Sequence, residues 1–306
     1  MGRAMNIAAA RRPQRARTGT RIRRGWAAYA FLAPALFLLV LFLVLPVLAS
    51  LYFSFTNYSV IRSVRWVGLA NYQGLLHDRL FLHSLVNTAV YAVGTTFPSM
   101  AVGLLLAVLL NTKLRGLVLF RTIFYLPVLM SLIAASLVWL WLYNPQVGLF
   151  NSLLASLSIS PQRWLADEHL AMPALIVMGV WKEFGYHMLL YLAGLQSISP
   201  DLYEAASLDG ATPVQAFRYI TLPLLRPISF FIVITSTIAS FQVFGAIYVM
   251  TKGGPLDTTT TIVHQIYINA FQFSKMGYAS AMAFVLFVVI VIASVVNGQF
   301  FRSDES

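Results

Sequence analysis

The chain has no cysteine. That excludes a disulfide framework and any metal site built on thiolates. Charge is scarce as well. Only 10% of the 306 residues are Asp, Glu, Lys or Arg, against about a quarter in a soluble domain. Five histidines (His77, His83, His169, His187 and His264) show neither an HExxH pattern nor paired metal spacing, so an embedded metalloenzyme has no ligand set to build on. No glycine is followed by lysine. The phosphate-binding loop GxxxxGK[ST] is therefore absent.

What is present is hydrocarbon: 59% of the residues are hydrophobic. A helix needs about 20 mostly apolar residues to cross a bilayer, and six runs qualify. They are Ala27–Phe53, Leu85–Leu110, Thr122–Tyr143, Met172–Leu195, Ile228–Met250 and Ala279–Phe301. Each exceeds the ten-residue alternation expected of a barrel strand, so the fold class is an all-α membrane protein with six transmembrane helices. The first run is longer than the apolar core of a signal peptide, which is about 7–15 residues. The domains read as a basic tail over 1–26, a six-helix domain over 27–301 and a short tail over 302–306.

Eight of the 21 Lys and Arg residues lie in the first 24 positions. With the N-terminus inside, fourteen basic residues fall on inner segments and six on outer loops. Short loops rich in Lys and Arg stay in the cytoplasm, so both termini are expected there. The arginine cluster next to a first span reads as a topological anchor, with no nucleic acid as partner.

One inner segment stands apart. Ser199-Pro200-Asp201 has the form of a helix start: a capping hydroxyl, a proline in the first turn, then an acid near the positive helix end. A short helix with Leu202, Ala205, Ala206 and Leu208 follows, and Gly210 permits a left-handed exit. Thr212-Pro213 starts a second helix, from Val214 to about Thr221, and Pro223 and Pro227 lead into the fifth run. An isolated helix of this length is marginal in water. It either docks on a partner or lies on lipid headgroups.

Here the residues resemble a known family. Glu204-Ala205-Ala206, three residues, Gly210, nine residues, then Ile220-x-Leu222-Pro223 is similar to the EAA motif of ABC importer permeases. "NTKLRGLVLFRTIFYLPVLMS", "WLYNPQVGLFN" and "MTKGGPLDTTTT" resemble the carbohydrate-importer branch, of the maltose and glycerol-phosphate type. The likeness runs from roughly Leu36 to Phe301 and leaves out the arginine-rich tail. One departure is the proline of Ser199-Pro200, which sits one position away from its usual place.

The resemblance implies a type I importer permease fold, with the coupling loop at 199–223 between helices four and five. Glu204, Ala205, Ala206, Asp209, Gly210, Leu222 and Pro223 would dock on a separate ATPase. It further implies a second homologous permease subunit, two ATPase subunits and an extracytoplasmic substrate-binding protein. No cofactor is expected on this chain, with ATP and Mg on the partner ATPase. Alternating access would move a sugar, or alternatively glycerol 3-phosphate or a glycerophosphodiester. An ion-driven secondary transporter is the competing class, but Glu183 and His187 make a thin relay.

Substrate-pathway candidates come from polar residues inside the runs. Lys182 and Glu183 fall in the middle of the fourth, where a charge costs roughly 2.5–3.5 kcal/mol on insertion scales. Adjacent residues diverge by about 100°, so each needs its own partner. In the fifth run Ser229, Ser236, Ser240 and Val243 share one face, and Thr235, Ala239, Gln242 and Ala246 the next. Beside Phe241 and Phe244, these suit a sugar's hydroxyls and its C–H face; they equally suit close helix packing. The family resemblance points to Ser236, Ser240 and Val243, and in the fourth run to Gly185 and Tyr186. Valine at 243 departs from the polar residue of the maltose-type relative. The outer segment Thr251–Tyr278 carries Ile262, Ile266, Phe271 and Phe273, which predicts a partly membrane-embedded amphipathic helix. This segment and Pro145–Asp167 are the candidates for contact with the binding protein.

Overall fold

A computed structural model describes residues 31–59, 63–112 and 116–302. The basic tail over 1–26, the start of the first run and residues 303–306 lie outside the described residues. Contacts divide the chain into two units, 1–50 and 51–306. Among the described residues there is no strand, only one isolated bridge between Thr56 and Trp66.

The first unit contributes most of α1 (Phe31–Ser54), which has a π-helical turn at Val40–Val44. The other described elements, including the short helices α2 (Ala70–His77) and α6 (Leu149–Ser156), belong to the second unit. Its frame is α3 (Arg79–Leu110), packed along α7 (Ala171–Ser197). Asp78 caps α3, its Oδ1 accepting from the N–H groups of Leu80 and Phe81. This cap starts the helix six residues ahead of the expected Leu85 and extends it to 32 residues. Helix α10 (Arg226–Phe241) packs on α3, on α7 and on α13 (Met276–Arg302). Small residues let these backbones approach. At Gly103 an added Cβ would meet the Met188 N–H nitrogen at 2.9 Å, and at Gly185 it would collide with the Phe124 carbonyl.

Among the described residues three helices, α1, α3 and α13, are long and apolar enough to cross a membrane, or five if each of two bent pairs forms one span. Helix α7 is the sixth element. Its 27 residues reach about 40 Å at 1.5 Å per residue. It falls below the others in apolarity because it carries Lys182, Glu183 and His187.

Two of the expected runs are not continuous helices. The third breaks into α4 (Leu117–Leu129) and α5 (Leu132–Leu142), bent by 98°. Pro127 removes one helical N–H, and Met130 and Ser131 both adopt extended backbone, with ψ of 143° and 137°. The fifth run ends as a regular helix at Phe241. Gln242 to Phe244 leave helical geometry, and a short α11 (Gly245–Met250) follows. An apolar run reports length, and nothing in it distinguishes a straight span from a folded one.

Candidate functional site: a helical hairpin and the broken spans

Between α7 and α10 lie α8 (Pro200–Leu208) and α9 (Pro213–Leu224). The local signals act as expected. Ser199 Oγ accepts from the Asp201 N–H. Helix α8 ends with Ala211 N–H donating to the Ala206 carbonyl and Gly210 N–H to the Ser207 carbonyl. That pair of bonds is a Schellman closure, which needs the left-handed Gly210, at φ +80°. Thr212 and Gln215 form a capping box at the start of α9. This second helix runs three residues past the expected Thr221. A π-helical turn at Phe217–Thr221 precedes Pro223, so the missing proline N–H is absorbed by a widened turn.

Helix α8 buries no residue. Glu204, Ala205, Asp209 and Gly210 are all exposed, and Ala206 is half-buried. Leu208 is 90% exposed and Val214 74%. The hairpin is held together by one internal link, Tyr203 Oη to Thr221 Oγ1 at 2.9 Å. Leu222 lies exposed and Pro223 half-buried at its far end. The result is a preformed hairpin that presents apolar side chains and a carboxylate outward.

The intramembrane candidates are placed differently. Lys182 Nζ donates to the Val128 carbonyl at 3.1 Å. The break after α4 frees that carbonyl, so the ammonium caps a helix C-terminus, where positive charge is favoured. Arg121 does the same for α3 through the Leu110 carbonyl. Glu183 is partly buried and keeps one carboxylate oxygen buried without a hydrogen-bond partner. Gly185 is the crossing point with α4, and Tyr186 is 40% exposed.

The serine face of α10 is a packing seam. Ser236 Oγ pairs with His187 Nε2 at 2.9 Å, Ser240 Oγ with Thr95 Oγ1 at 3.2 Å, and Ser229 Oγ accepts from Tyr191 Oη at 3.1 Å. Phe241 and Val243 are buried, and the Val243 carbonyl accepts from Thr261 Oγ1. The neighbouring face is mixed: Ala239 and Gln242 are exposed, Thr235 is half-buried and Ala246 fully buried. At the break, Phe244 starts a ladder of rings. It lies 5.3 Å from Tyr248 and 5.0 Å from Tyr267, which in turn lies 5.4 Å from Phe271.

The outer segment, expected to be a partly membrane-embedded amphipathic helix, divides: Ile262 is buried, while Phe271 and Phe273 are exposed. Its helix α12 (Ile262–Tyr267) and the π turn Ile268–Gln272 fold onto α3 and α13. Ile262 and Thr259 to Thr261 are fully buried. Asn87 Nδ2 donates to the carbonyls of Asp257 and Thr260, and Thr88 Oγ1 accepts from the Ile262 N–H. The role of Asn87 and Thr88 went unread in the sequence. Their signal was there: an amide and a hydroxyl inside an apolar run require partners.

The model of the family described as binding-protein-dependent transport system inner membrane component matches residues 85–303, a stretch that includes α8, Gly210 and both broken spans. The chain belongs to this family. It is the permease component of an ABC transporter, a multi-pass membrane protein that works with a substrate-binding protein. The sn-glycerol-3-phosphate transport system permease protein UgpA of Brucella abortus is 35% identical over 277 residues, 89% of this chain and 93% of the relative. The trehalose/maltose transport system permease protein MalF of Thermococcus litoralis is 35% identical over 269 residues, 88% of this chain and 91% of the relative. Among solved structures, a chain of a bacterial ABC transporter that imports the acidic polysaccharide alginate superposes with a TM-score of 0.83. That match has 25% identity and covers 94% of this chain and 99% of the other.

Proposed function

We propose that the chain is one of two homologous permease subunits of a sugar importer, powered through α8 by two separate ATPase subunits. The observation that carries this reading is the exposed hairpin. Its caps fix its shape, yet Leu208 and Val214 are left in solvent, as a docking element requires. Glu204, Ala205, Ala206, Asp209 and Gly210 form the docking helix, with Leu222 and Pro223 relaying its movement to α10. ATP and Mg act on the partner. Both termini then face the cytoplasm, in line with the basic residues of the inner segments.

A neutral di- or oligosaccharide is favoured over glycerol 3-phosphate or a glycerophosphodiester. Lys182, the cation in the middle of α7, is engaged with the Val128 carbonyl, whereas a phosphate would call for a free cation. The exposed Gln242 and the rings of Phe244, Tyr248, Tyr267 and Phe271 suit hydroxyls and C–H faces. Alternating access would expose this path on one side at a time.

The test is reconstituted ATPase activity of the assembled complex, with binding protein loaded in turn with maltotriose, arabinotriose or glycerol 3-phosphate. Stimulation by a saccharide, lost in Gly210→Asp, is expected. Transport in membranes without an ATPase would overturn the reading in favour of an ion-driven carrier.

A further inference from the structure

The end of α3 opposite the α8–α9 hairpin borders a cleft of about 740 Å³. That is within the usual size of small-molecule sites, about 300–1,000 Å³. The loop after α1, the turn Gln272–Lys275 and the start of α13 form its other walls.

Its floor is fixed by the fold. Asp78 Oδ2 accepts from Tyr278 Oη at 2.8 Å, while Oδ1 is held by the α3 cap. Three donors thus occupy the one carboxylate in the wall. Four side-chain amides line the cleft: Asn57, Asn71, Asn269 and Gln272. Three of them use one half of the amide for the fold. Asn71 Nδ2 donates to the carbonyls of Ser54 and Thr56, both at 2.8 Å. Asn57 Oδ1 accepts from the Arg65 N–H at 2.8 Å, and Asn269 Nδ2 donates to the Gln265 carbonyl at 3.0 Å. Left over among the four amides are a donor on Asn57, acceptors on Asn71 and Asn269, and both halves of Gln272, and the Lys275 ammonium adds donors at the rim. At the rim Phe273 is 61% exposed, with the Lys275 ammonium 5.8 Å from its ring centre.

Mixed donors and acceptors match hydroxyl groups, each of which both donates and accepts. An anion would need donors alone, and a cation acceptors alone. An exposed ring at the edge supplies an apolar plane for a pyranose C–H face. We propose that this cleft is a saccharide subsite on the extracytoplasmic face, holding one end of the sugar before it enters between the subunits. The proposal rests on the orientation and the sugar substrate argued above.

The absence of cysteine makes the test direct. Ser274 borders the cleft and is not one of its four amides, so Ser274→Cys introduces one thiol in the wall and leaves the proposed contacts in place. Whole transporter with cysteine-free partners, in proteoliposomes, is treated with a membrane-impermeant maleimide. Additions are maltotriose, arabinotriose or glycerol 3-phosphate without binding protein, or unliganded binding protein alone. In the same vesicles, ATPase stimulation by loaded binding protein identifies the transported solute. The saccharide that stimulates the ATPase should slow labelling about tenfold when present at about ten times its dissociation constant. Phe273→Ala in that background should abolish the protection. If that saccharide stimulates the ATPase but leaves labelling unchanged, the subsite is refuted and the importer reading stands. Protection by binding protein alone, with none by sugar, refutes it in favour of a protein-docking surface. If no saccharide stimulates the ATPase, the sugar reading fails and the subsite falls with it.

Discussion

Two connectors between spans, 199–225 and 251–275, are built from the same parts. Each contains short helices, and each turns at a left-handed glycine, Gly210 at φ +80° and Gly253 at φ +87°. In the first, a Cβ added at Gly210 would meet nothing within 4 Å, and α8 buries no side chain. In the second, a Cβ at Gly253 would approach His264 Cε1 to 2.8 Å, and Thr259 to Thr261 are fully buried. The second connector meets its polar groups inside the chain: Thr259 Oγ1 donates to the Gly254 carbonyl, Gln265 Nε2 to Thr260 Oγ1, and Asn87 spans two carbonyls. The first is held by its own caps and offers its surface. Structure completed within one chain and structure prepared for another chain are thus distinguishable by where the hydrogen bonds and the leucines go.

The largest effect should come from cutting the second connector loose. Asn87→Leu leaves the Thr260 carbonyl without its amide donor and takes one of two donors from the Asp257 carbonyl, which keeps the Thr260 N–H, a loss of about 2–4 kcal/mol. Thermal unfolding of the purified chain should drop, with early hydrogen exchange confined to 251–275. An unchanged melting temperature would show that this connector is not held from α3.

The glycines sharpen the contrast. Alanine at either position meets the left-handed penalty of about 1–2 kcal/mol. Gly253→Ala should lose about 1 kcal/mol more, because His264 must move. Equal losses by thermal melts would remove the distinction between an open and a packed turn.

Protonation gives a smaller, reversible version. Burial lowers the His264 pKa, partly offset by the nearby Asp257 charge. The neutral ring is thus favoured in the folded state. Its stability is full above the unfolded value, about 6.5, and declines as pH falls through the lower folded value. Exchange at 260–267 should rise below that pH, and the rise should vanish in His264→Gln. The smallest change in stability, below about 0.5 kcal/mol, belongs to Leu208→Ser. That variant should still lose ATPase association in a pull-down of the assembled complex. Retained association would mean that α8 is an ordinary surface connector.

The caps of α8 and α9 were legible because their bonds close within five residues. Ser199, Gly210 and Thr212 act on neighbours that the sequence itself supplies. Lys182 was legible as an anomaly but not in its role. Its acceptor, Val128, lies 54 positions away and is free only because α4 breaks after Leu129. Ser236 and Ser240 show the limit of periodicity. The pattern placed them on one face, yet whether that face meets α7 and α3 or an open path depends on how the helices cross. Crossing is set by small residues such as Gly103 and Gly185, whose partners the pattern does not name.

By itself the sequence determined that this chain crosses a membrane several times, that its basic residues cluster unevenly along it, and that it carries a capped hairpin between two spans. Length, apolarity and short-range hydrogen bonds suffice for that. Only the tertiary structure decided that two of the runs bend, that the serines of α10 are spent on packing while Gln242 remains open, and that residues 259–262 fold inward. Those outcomes depend on pairing buried polar groups, such as Asn87 with Thr260, that lie far apart along the chain and must still find each other where no water can substitute.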